Sequence, residues 1–260
     1  MPDNSVPNRS VQFDLSDRTI LMTGASSGLG EHFARRLAAM GARVALAARR
    51  TDKLAQIASE LRAEGAVVEA VALDVADAES IERGFEAARA ALGPINGVIA
   101  NAGINQAGPA TRLKAEELDA VLSVNVRGAF LTAREAARHM PADGSGRVLL
   151  VASIGGIVPL PGLAAYSTSK AAVVMMGKAL AREWATRGIN VNILCPGFVR
   201  TPLNSEWFDT PKGREQIAGF PRKRLMEASD LDIPVFMAMS SASSGLTGSV
   251  LVVDDGQTLA

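Results

Sequence analysis

The sequence has few of the residues that build disulfide frameworks and metal sites. It has one cysteine, Cys195, and only two histidines, His32 and His139, in 260 residues. A lone cysteine has no partner within the chain, which excludes an intrachain disulfide and favours a reducing compartment, so the cytoplasm is the expected location. Because His, Cys and carboxylate residues do not cluster at ligand spacing, we expect no catalytic metal.

The chain also lacks an excess of either charge and any long apolar run. Lys and Arg number 27, as do Asp and Glu, so no overall field would attract nucleic acid or an anionic membrane. No stretch approaches the roughly 18 uninterrupted apolar residues of a membrane span. Residues 1–14 are polar, without the apolar core of a signal peptide, and are predicted to form a flexible arm.

Short apolar runs alternate with longer segments of helical period over the rest of the chain, residues 15–260. This pattern is typical of a buried parallel sheet covered by helices, and 260 residues of which 48% are hydrophobic can form one large core. The predicted strands are Thr19–Met22, Arg43–Ala47, Val67–Ala72, Gly97–Ala100, Arg147–Ala152, Asn190–Leu194 and Val250–Val253. The predicted helices include Lys53–Glu64, Ala78–Leu92, Glu116–Met140 and Ala165–Thr186. We therefore predict a single α/β domain with a doubly wound sheet of about seven parallel strands and helices on both faces.

A glycine-rich loop joins the first strand to a helix. It reads Thr23-Gly24-Ala25-Ser26-Ser27-Gly28-Leu29-Gly30. Glycine lets the backbone approach a pyrophosphate, and the amides and dipole at a helix N-terminus favour its charge. The loop predicts a Rossmann-type dinucleotide site, with a tight turn that binds no ligand as the ordinary alternative. Its predicted cofactor contacts are Gly24, Ser26, Ser27, Gly28, Leu29 and Gly30.

The same loop satisfies a second motif from a different class of enzyme. Gly24-Ala25-Ser26-Ser27-Gly28 matches the G-x-S-x-G nucleophile elbow of α/β-hydrolases, with Ser26 as the nucleophile. Such a hydrolase needs a histidine base on a loop after a late strand, whereas His32 and His139 both fall in helical segments. A serine esterase is therefore kept only as an alternative.

A serine, a tyrosine and a lysine lie near the expected ligand crevice. The fifth predicted strand ends at Ser153, and Tyr166 and Lys170 stand four residues apart on a predicted helix. That spacing places the phenol and the ammonium on one face, where the positive charge should lower the tyrosine pKa from its usual value of about 10. The pattern predicts Tyr166 as general acid or base and Ser153 as a hydrogen-bond donor to the substrate oxygen. The alternative is an ordinary helix pair and a strand-end serine.

Taken together, these motifs resemble the short-chain dehydrogenase/reductase family over Leu15 to Leu259, because both Thr-Gly-x-x-x-Gly-x-Gly and Tyr-x-x-x-Lys are present. The resemblance implies that Asn125 completes a catalytic set with Ser153, Tyr166 and Lys170, and that Lys170 also holds the nicotinamide ribose. It further implies cofactor contacts at Asp74 and Val75, at Asn101, Ala102 and Gly103, and at Pro196, Gly197, Val199 and Thr201. Asn101 and Asn125 could instead only bond backbone groups, and Asp74 could only cap a turn.

The end of the second strand indicates which cofactor is preferred. NAD-binding proteins place an acid there, whereas this chain has Ala48 followed by Arg49. A guanidinium can form charge-assisted bonds to the 2′-phosphate of NADP. The sequence therefore predicts NADP(H), with NAD(H) possible. Alternatively, Arg49 and Arg50 are a solvated pair.

The resemblance implies an enzyme that interconverts a ketone and a secondary alcohol, and the apolar loop 154–163 favours a hydrophobic substrate. A substrate lid is predicted at about 198–222, whose Trp207 and Phe208 could either face the substrate or pack inside the lid. The resemblance also implies a homotetramer that pairs through the two long helices and the last strand. Alternatives are an NAD(H)-preferring alcohol dehydrogenase, a 3-oxoacyl-carrier-protein reductase and a non-catalytic NADP sensor. Carrier-protein use is in doubt because Leu131 replaces one of two carrier-gripping arginines, while Arg187 matches the other.

Overall fold

The computed structural model describes residues 13–202 and 204–259. Most of the predicted N-terminal arm, residues 1–12, lies outside the described residues. The strands are β1 (Thr19–Thr23), β2 (Arg43–Ala48), β3 (Val68–Ala72), β4 (Gly97–Ala100), β5 (Arg147–Val151), β6 (Asn190–Pro196) and β7 (Val250–Val253). The helices are α1 (Gly28–Ala39), α2 (Thr51–Ala63), α3 (Ala78–Leu92), α4 (Ala115–Leu122), α5 (Ala129–His139), α6 (Ala164–Trp184), α7 (Ser205–Phe208), α8 (Pro211–Ala218) and α9 (Asp232–Met239). No helix in this part of the chain is long and apolar enough to cross a lipid bilayer.

All seven strands form one parallel sheet in the order β3-β2-β1-β4-β5-β6-β7. Helices α3, α5 and α6 contribute to the core on one face, through residues such as Phe85, Ala133 and Val173. Helices α1, α2 and α9 contribute to the core on the other face, through Phe33 and Leu54 among others. The predicted doubly wound α/β sheet is confirmed, and the predicted strand bounds are within two residues of those observed.

The predicted helix Glu116–Met140 is interrupted at a position that the sequence pattern does not predict. A π-helical segment, Ser123–Gly128, separates α4 from α5. Gly128 packs on Val75 so closely that a Cβ would lie 2.9 Å from the Val75 carbonyl oxygen. π-Helical turns are rare and often mark functional sites, and this one contains the buried Asn125.

The predicted lid, 198–222, is a loop that carries α7 and α8. Its base is closed by a parallel bridge between Val199 and Met226. Helix α8 begins in the usual way, because the Thr210 hydroxyl caps the Gly213 amide and Pro211 occupies the first turn. Inside the lid, Phe208 is only 2% exposed and meets the ring of Phe198 edge-on at 5.5 Å.

Candidate active site

A cleft of about 530 Å³ lies at the carboxyl ends of the strands. It lies where the strand order reverses between β1 and β4, the position at which open α/β sheets bind ligands. Every residue predicted to contact the cofactor lines it, as do Ser153, Tyr166 and Lys170. Asn125 does not line the cleft and lies behind it, 1% exposed. The sequence motifs, scattered over almost 180 residues, thus converge on one site.

The glycine loop has the geometry of a phosphate cradle. Gly24 has a φ of +70°, a conformation that residues with a Cβ rarely adopt. A Cβ on Gly30 would lie 2.1 Å from the carbonyl oxygen of Gly24, so the first turn of α1 packs against the loop only because Gly30 has no side chain. The N-terminus of α1 therefore lies at the cleft, where its amides and dipole favour an anion.

The hydroxyl of Ser26 is bonded to an arginine and not to a base. Arg50 donates to Ser26 Oγ through Nε at 3.1 Å and Nη2 at 2.8 Å, and to Ser27 Oγ through Nη2 at 2.6 Å. His32 is engaged elsewhere, with Nε2 2.7 Å from an oxygen of Asp232. A serine that accepts from a guanidinium, with no histidine beside it, is not activated as a nucleophile. The geometry therefore gives no support to a serine esterase.

Two predicted cofactor residues also have structural partners. The side-chain amide of Asn101 donates to the carbonyl of Thr23 at 3.1 Å, which ties the end of β4 to the end of β1. Asp74 Oδ1 accepts the amide of Ala76 at 3.0 Å and so shapes the turn after β3. Asn101 thus bonds a backbone group and Asp74 caps a turn, and both residues also line the cleft, where they stay predicted cofactor contacts.

Arg49 occupies a different position from its neighbour. Its side chain is 71% exposed, and Nη1 lies 4.0 Å from a carboxylate oxygen of Asp74. Ala48, at the end of β2, lines the cleft without bringing a negative charge to it. Of the two adjacent arginines, Arg50 is held by the glycine loop, whereas Arg49 extends over the outer rim.

Tyr166 and Lys170 lie one helical turn apart on α6, below Ser153. Lys170 Nζ donates to the carbonyl of Val151 at 2.9 Å and lies 5.6 Å from the centre of the Tyr166 ring. Ser153 Oγ accepts the amide of Gly155 at 3.1 Å, and its own proton can be donated towards Tyr166. The three side chains therefore converge on one side of the cleft.

Burial dominates the protonation of this group. It raises the pKa of the Tyr166 phenol, while a side-chain hydrogen bond with Ser153 pulls that pKa down. Burial also lowers the pKa of Lys170 to about 8. The expectation that Lys170 would bring the tyrosine pKa below its usual value is therefore wrong for this structure, because the cost of burying a phenolate exceeds the help from nearby groups.

Both the oxygen and the nitrogen of the Asn125 side-chain amide form hydrogen bonds within the protein. Its Oδ1 accepts the amide of Ile104 at 2.8 Å, and its Nδ2 donates to the Ile104 carbonyl at 2.9 Å and to Ser169 Oγ at 2.9 Å. Ser169 in turn donates to the carbonyl of Tyr166 at 2.7 Å. Asn125 therefore links the loop after β4 to the turn of α6 that carries Tyr166 and Ser169. A Cβ on Gly103 would lie within 3.4 Å of both Asn125 Oδ1 and Lys170 Nζ, so all three are close neighbours.

The substrate side of the cleft is mostly apolar, and the sequence leaves open whether Trp207 and Phe208 face it or pack inside the lid. Neither Trp207 nor Phe208 lines it; Phe208 packs inside the lid, and Trp207 Nε1 donates to Gln216 at 2.8 Å. The aromatic wall is instead Phe198, which stacks on Phe220 at 5.4 Å. The other apolar residues on this side are Ile104, Ile154, Leu160, Leu163 and Pro202.

Cys195 is fully buried on β6 behind Ser153. Burial raises the pKa of its thiol to about 11. A thiol with that pKa is protonated near neutral pH and is a poor nucleophile. Cys195 therefore behaves as a small buried hydrophobic residue.

Known proteins resemble this chain along nearly its whole length. A family model described as short chain dehydrogenase matches residues 18–212. The glucose 1-dehydrogenase of Gluconobacter oxydans is 34% identical over 93% of this chain and 92% of that protein. The 3beta-hydroxysteroid dehydrogenase 1 of Eggerthella lenta is 35% identical over 95% of each. The crystal structure of a gluconate 5-dehydrogenase from Burkholderia cenocepacia in complex with NADP and tartrate has a TM-score of 0.91 at 32% identity, covering 96% of this chain and 98% of that one.

Proposed function

The chain belongs to the short-chain dehydrogenase/reductase family, and on that premise we propose that it is an NADP(H)-dependent enzyme that interconverts a ketone and a secondary alcohol. Membership in the family makes it an NAD(P)-dependent oxidoreductase. The observation that supports the proposal most directly is the convergence of Ser153, Tyr166 and Lys170 in the same cleft as the glycine loop that forms a phosphate cradle.

The residues of the cleft fit a dinucleotide. Gly24 and Gly30 let the glycine loop pack tightly, because a Cβ on Gly24 would lie 2.9 Å from Ala102 Cα and a Cβ on Gly30 would lie 2.1 Å from the Gly24 carbonyl oxygen. Thr201 lies beside the same loop, since a Cβ on Gly28 would lie 3.8 Å from the Thr201 Cβ. We assign the pyrophosphate to the glycine loop, the adenine to Asp74 and Val75, and the nicotinamide to the segment with Pro196, Gly197, Val199 and Thr201, all of which line the cleft. The bound cofactor supplies the hydride to the carbonyl carbon, or removes it in the reverse direction.

The proton steps belong to this chain. In reduction, the Tyr166 hydroxyl protonates the carbonyl oxygen, and the Ser153 hydroxyl donates a hydrogen bond to the same oxygen as negative charge develops there. Lys170 uses one of its three donors on Val151, which leaves others for the nicotinamide ribose and keeps positive charge near the phenol. Asn125 fixes the Ile104 loop against α6, beside the path by which a water would relay protons to Lys170.

NADP(H) is the cofactor that the rim of the cleft favours. Ala48 brings no carboxylate to repel a 2′-phosphate, and Arg49 carries an exposed guanidinium beside it. Arg50 holds the adjacent serines of the loop. The similar gluconate 5-dehydrogenase structure is a complex with NADP, which supports the same choice, while NAD(H) use at lower efficiency is compatible with the site.

The substrate we propose is a small ketone with an apolar flank. The wall formed by Ile154, Leu160 and Phe198 suits such a group. Use of a carrier-protein substrate has no support from the two arginine positions, because Leu131 packs against the core and Arg187 donates to the carbonyl of Ala137. The same machinery would serve an NAD(H)-preferring alcohol dehydrogenase, which differs only at the rim of the cleft.

A panel assay tests the proposed function. Loss of NADPH absorbance is followed with a series of aliphatic, aromatic and hydroxylated ketones, with Tyr166→Phe as the matched control. We expect ketone-dependent oxidation of NADPH by the wild type, fastest for ketones with an apolar flank. Binding of NADPH with no turnover of any ketone or alcohol would instead favour a non-catalytic NADP sensor, and ester cleavage without cofactor would favour a hydrolase.

We also propose that the enzyme is a homotetramer. Apolar side chains lie exposed on the surfaces that the resemblance assigns to pairing: Phe130 on α5, Met175 on α6 at 64% exposure, and Val252 on β7. On α6, Val173 and Leu180 are buried against the sheet, while Met175 points away from it. Such faces are usually covered by another chain. The cytoplasm remains the predicted location.

A further inference from the structure

The segment Asp254–Leu259, here called the C-terminal turn, follows β7 and is braced from within. Asp254 Oδ1 accepts the amide of Gly256 at 3.0 Å. Its Oδ2 accepts both the amide of Thr258 at 2.8 Å and the Thr258 hydroxyl at 2.7 Å. A carboxylate with three charge-assisted hydrogen bonds fixes the shape of the turn, so that its other side chains are presented in a defined way.

The first of these side chains, Gln257, reaches the start of the lid. Its Oε1 accepts the backbone amide of Phe198 at 2.8 Å. The neighbouring amide of Gly197 donates to Val253 at 2.8 Å, and a Cβ on Gly197 would lie only 2.6 Å from Gln257 Oε1. Gly197 therefore permits the close approach that lets Gln257 hold Phe198, the aromatic wall of the cleft.

The second side chain, Asp255, reaches the end of the lid. Its carboxylate is 11% exposed and lies 2.8 Å from Arg224 Nε and 3.5 Å from Arg222 Nη1. Asp255 has a φ of +53°, a conformation that favours glycine. An aspartate in that conformation, paired with two arginines that follow α8, indicates that the contact with the lid stabilises an otherwise unfavourable backbone.

We infer that the C-terminal turn is a two-point clamp on the base of the lid, and that Gln257 is a positioning residue for the substrate wall. The two contacts lie next to the two strands of the bridge, at Phe198 before Val199 and at Arg224 before Met226. The Met226 amide also donates to the Phe198 carbonyl at 2.9 Å. Phe198 is thus held at its amide, its carbonyl and its ring. Gln257 itself does not line the cleft, so it acts there through Phe198 and the adjacent Gly197.

The inference rests on the proposed function for its effect on substrate binding, but the clamp itself can be tested without turnover. Trypsin cleaves after Lys212 and Arg214, which are exposed on the lid. Gln257→Met removes the acceptor at similar size, so the Phe198 amide loses its partner and the lid base opens more often. We expect lid cleavage about 10-fold faster than in the wild type, because losing the partner of this part-buried amide costs roughly that factor. Gln257→Glu keeps an acceptor and is expected to restore slow cleavage.

Two further variants separate a clamp from general stability. Thr258→Val removes the hydroxyl bond to Asp254 but keeps the two amide bonds that shape the turn and the contact with Phe198, so it should lower the melting temperature without speeding cleavage of the lid. Asp255→Gly relieves the backbone at φ +53° but removes the contact with Arg224, so lid cleavage should rise even where the melting temperature does not fall. Unchanged cleavage in Gln257→Met and Asp255→Gly, or equal acceleration in Thr258→Val, would overturn the clamp.

Kinetics then test the role of Gln257 in substrate binding. With an active ketone, Gln257→Met should raise the KM for the ketone by about 10-fold and the KM for NADPH by a smaller factor, since most of the proposed cofactor contacts lie outside the segment that Gln257 holds. A lowered melting temperature with an unchanged ketone KM would show that Gln257 stabilises the fold but does not position the substrate wall. If the wild type turns over no ketone, the proposed function fails, and trypsin cleavage still decides whether the clamp exists.

Discussion

Replacing Ala48 by Asp and Arg49 by Ala should shift the enzyme from NADPH towards NADH. Ala48 ends β2 at the rim of the cleft, so an aspartate there would accept from the 2′-hydroxyl of NADH and repel the 2′-phosphate of NADPH. Removing Arg49 takes away the exposed guanidinium that could pair with that phosphate. Both substitutions therefore act on the single group by which the two cofactors differ.

The size of the shift follows from the kind of bond that is lost. A hydrogen bond to a charged group contributes about 1.5 to 3 kcal/mol, which corresponds to roughly 10-fold to 100-fold in kcat/KM for NADPH. Arg49 is 71% exposed, so water and salt screen its charge, and the lower end of that range is expected for Arg49→Ala alone. The selectivity for NADPH should fall as ionic strength rises.

The assay measures kcat/KM with each cofactor for the wild type, the double variant, Arg49→Ala and Arg50→Ala. Arg50 is the matched control because it is the adjacent arginine and holds Ser26 and Ser27. Since it shapes the loop that either cofactor would use, Arg50→Ala should weaken NADPH and NADH alike. Arg49→Ala should weaken NADPH alone.

Three results would refute this reasoning. A wild type that prefers NADH would remove the basis for a phosphate site at the end of β2. An unchanged cofactor ratio in the double variant would show that neither Ala48 nor Arg49 senses the phosphate. Selective loss of NADPH use in Arg50→Ala, with Arg49→Ala unaffected, would show that Arg50 and not Arg49 binds the 2′-phosphate.

The remaining predictions concern catalysis, protonation and assembly. Tyr166→Phe should lower kcat by at least about 100-fold while NADPH binding, followed by fluorescence titration, persists; full activity would end the proposed mechanism. Any hydrolysis of a nitrophenyl ester by the wild type should persist in Ser26→Ala. Loss of that esterase activity in the variant would support the hydrolase alternative. Burial lowers the pKa of Lys170 to about 8. Between about pH 8 and the pKa of this lysine in the unfolded chain, the unfolded chain binds more protons than the folded one. Lys170 should therefore make the cofactor-free protein more stable as the pH rises through that range. Urea unfolding at several pH values should show that increase in the wild type and not in Lys170→Met. Light scattering at micromolar concentration should give four times the mass of one chain, and a monomeric mass would contradict the tetramer.

The sequence predicts most of the sheet because each parallel strand is a short apolar run with a glycine or proline near it. It does not predict the π-helical segment Ser123–Gly128, because a widened turn leaves no local signature and depends on how Gly128 packs against Val75. The helical period alone indicates one uninterrupted helix. The bonds between Asn125 and Ile104 across the fold stabilise the break.

The candidate site divides in the same way. Gly24 to Gly30, Tyr166 and Lys170 are recognisable because their function depends on neighbours close in the sequence. The contacts of Arg50 with Ser26 and of Gln257 with Phe198 join residues 24 and 59 positions apart, and no spacing rule predicts them. Burial likewise decides the pKa of Tyr166, and burial is a property of the folded chain.

The strand order has a consequence for how the protein is made. The central strand β1 pairs with β2 on one side and with β4 on the other, and β4 begins 74 residues after β1 ends, from Thr23 to Gly97. At about 5 to 20 residues per second, the nascent chain carries an unpaired edge of β1 for roughly 4 to 15 seconds. All five residues of β1 are buried in the finished sheet, so that edge is a template for wrong pairing while it waits. Ribosomes crowded on one message would hold several such half-sheets side by side, and slower initiation should therefore raise the yield of native enzyme.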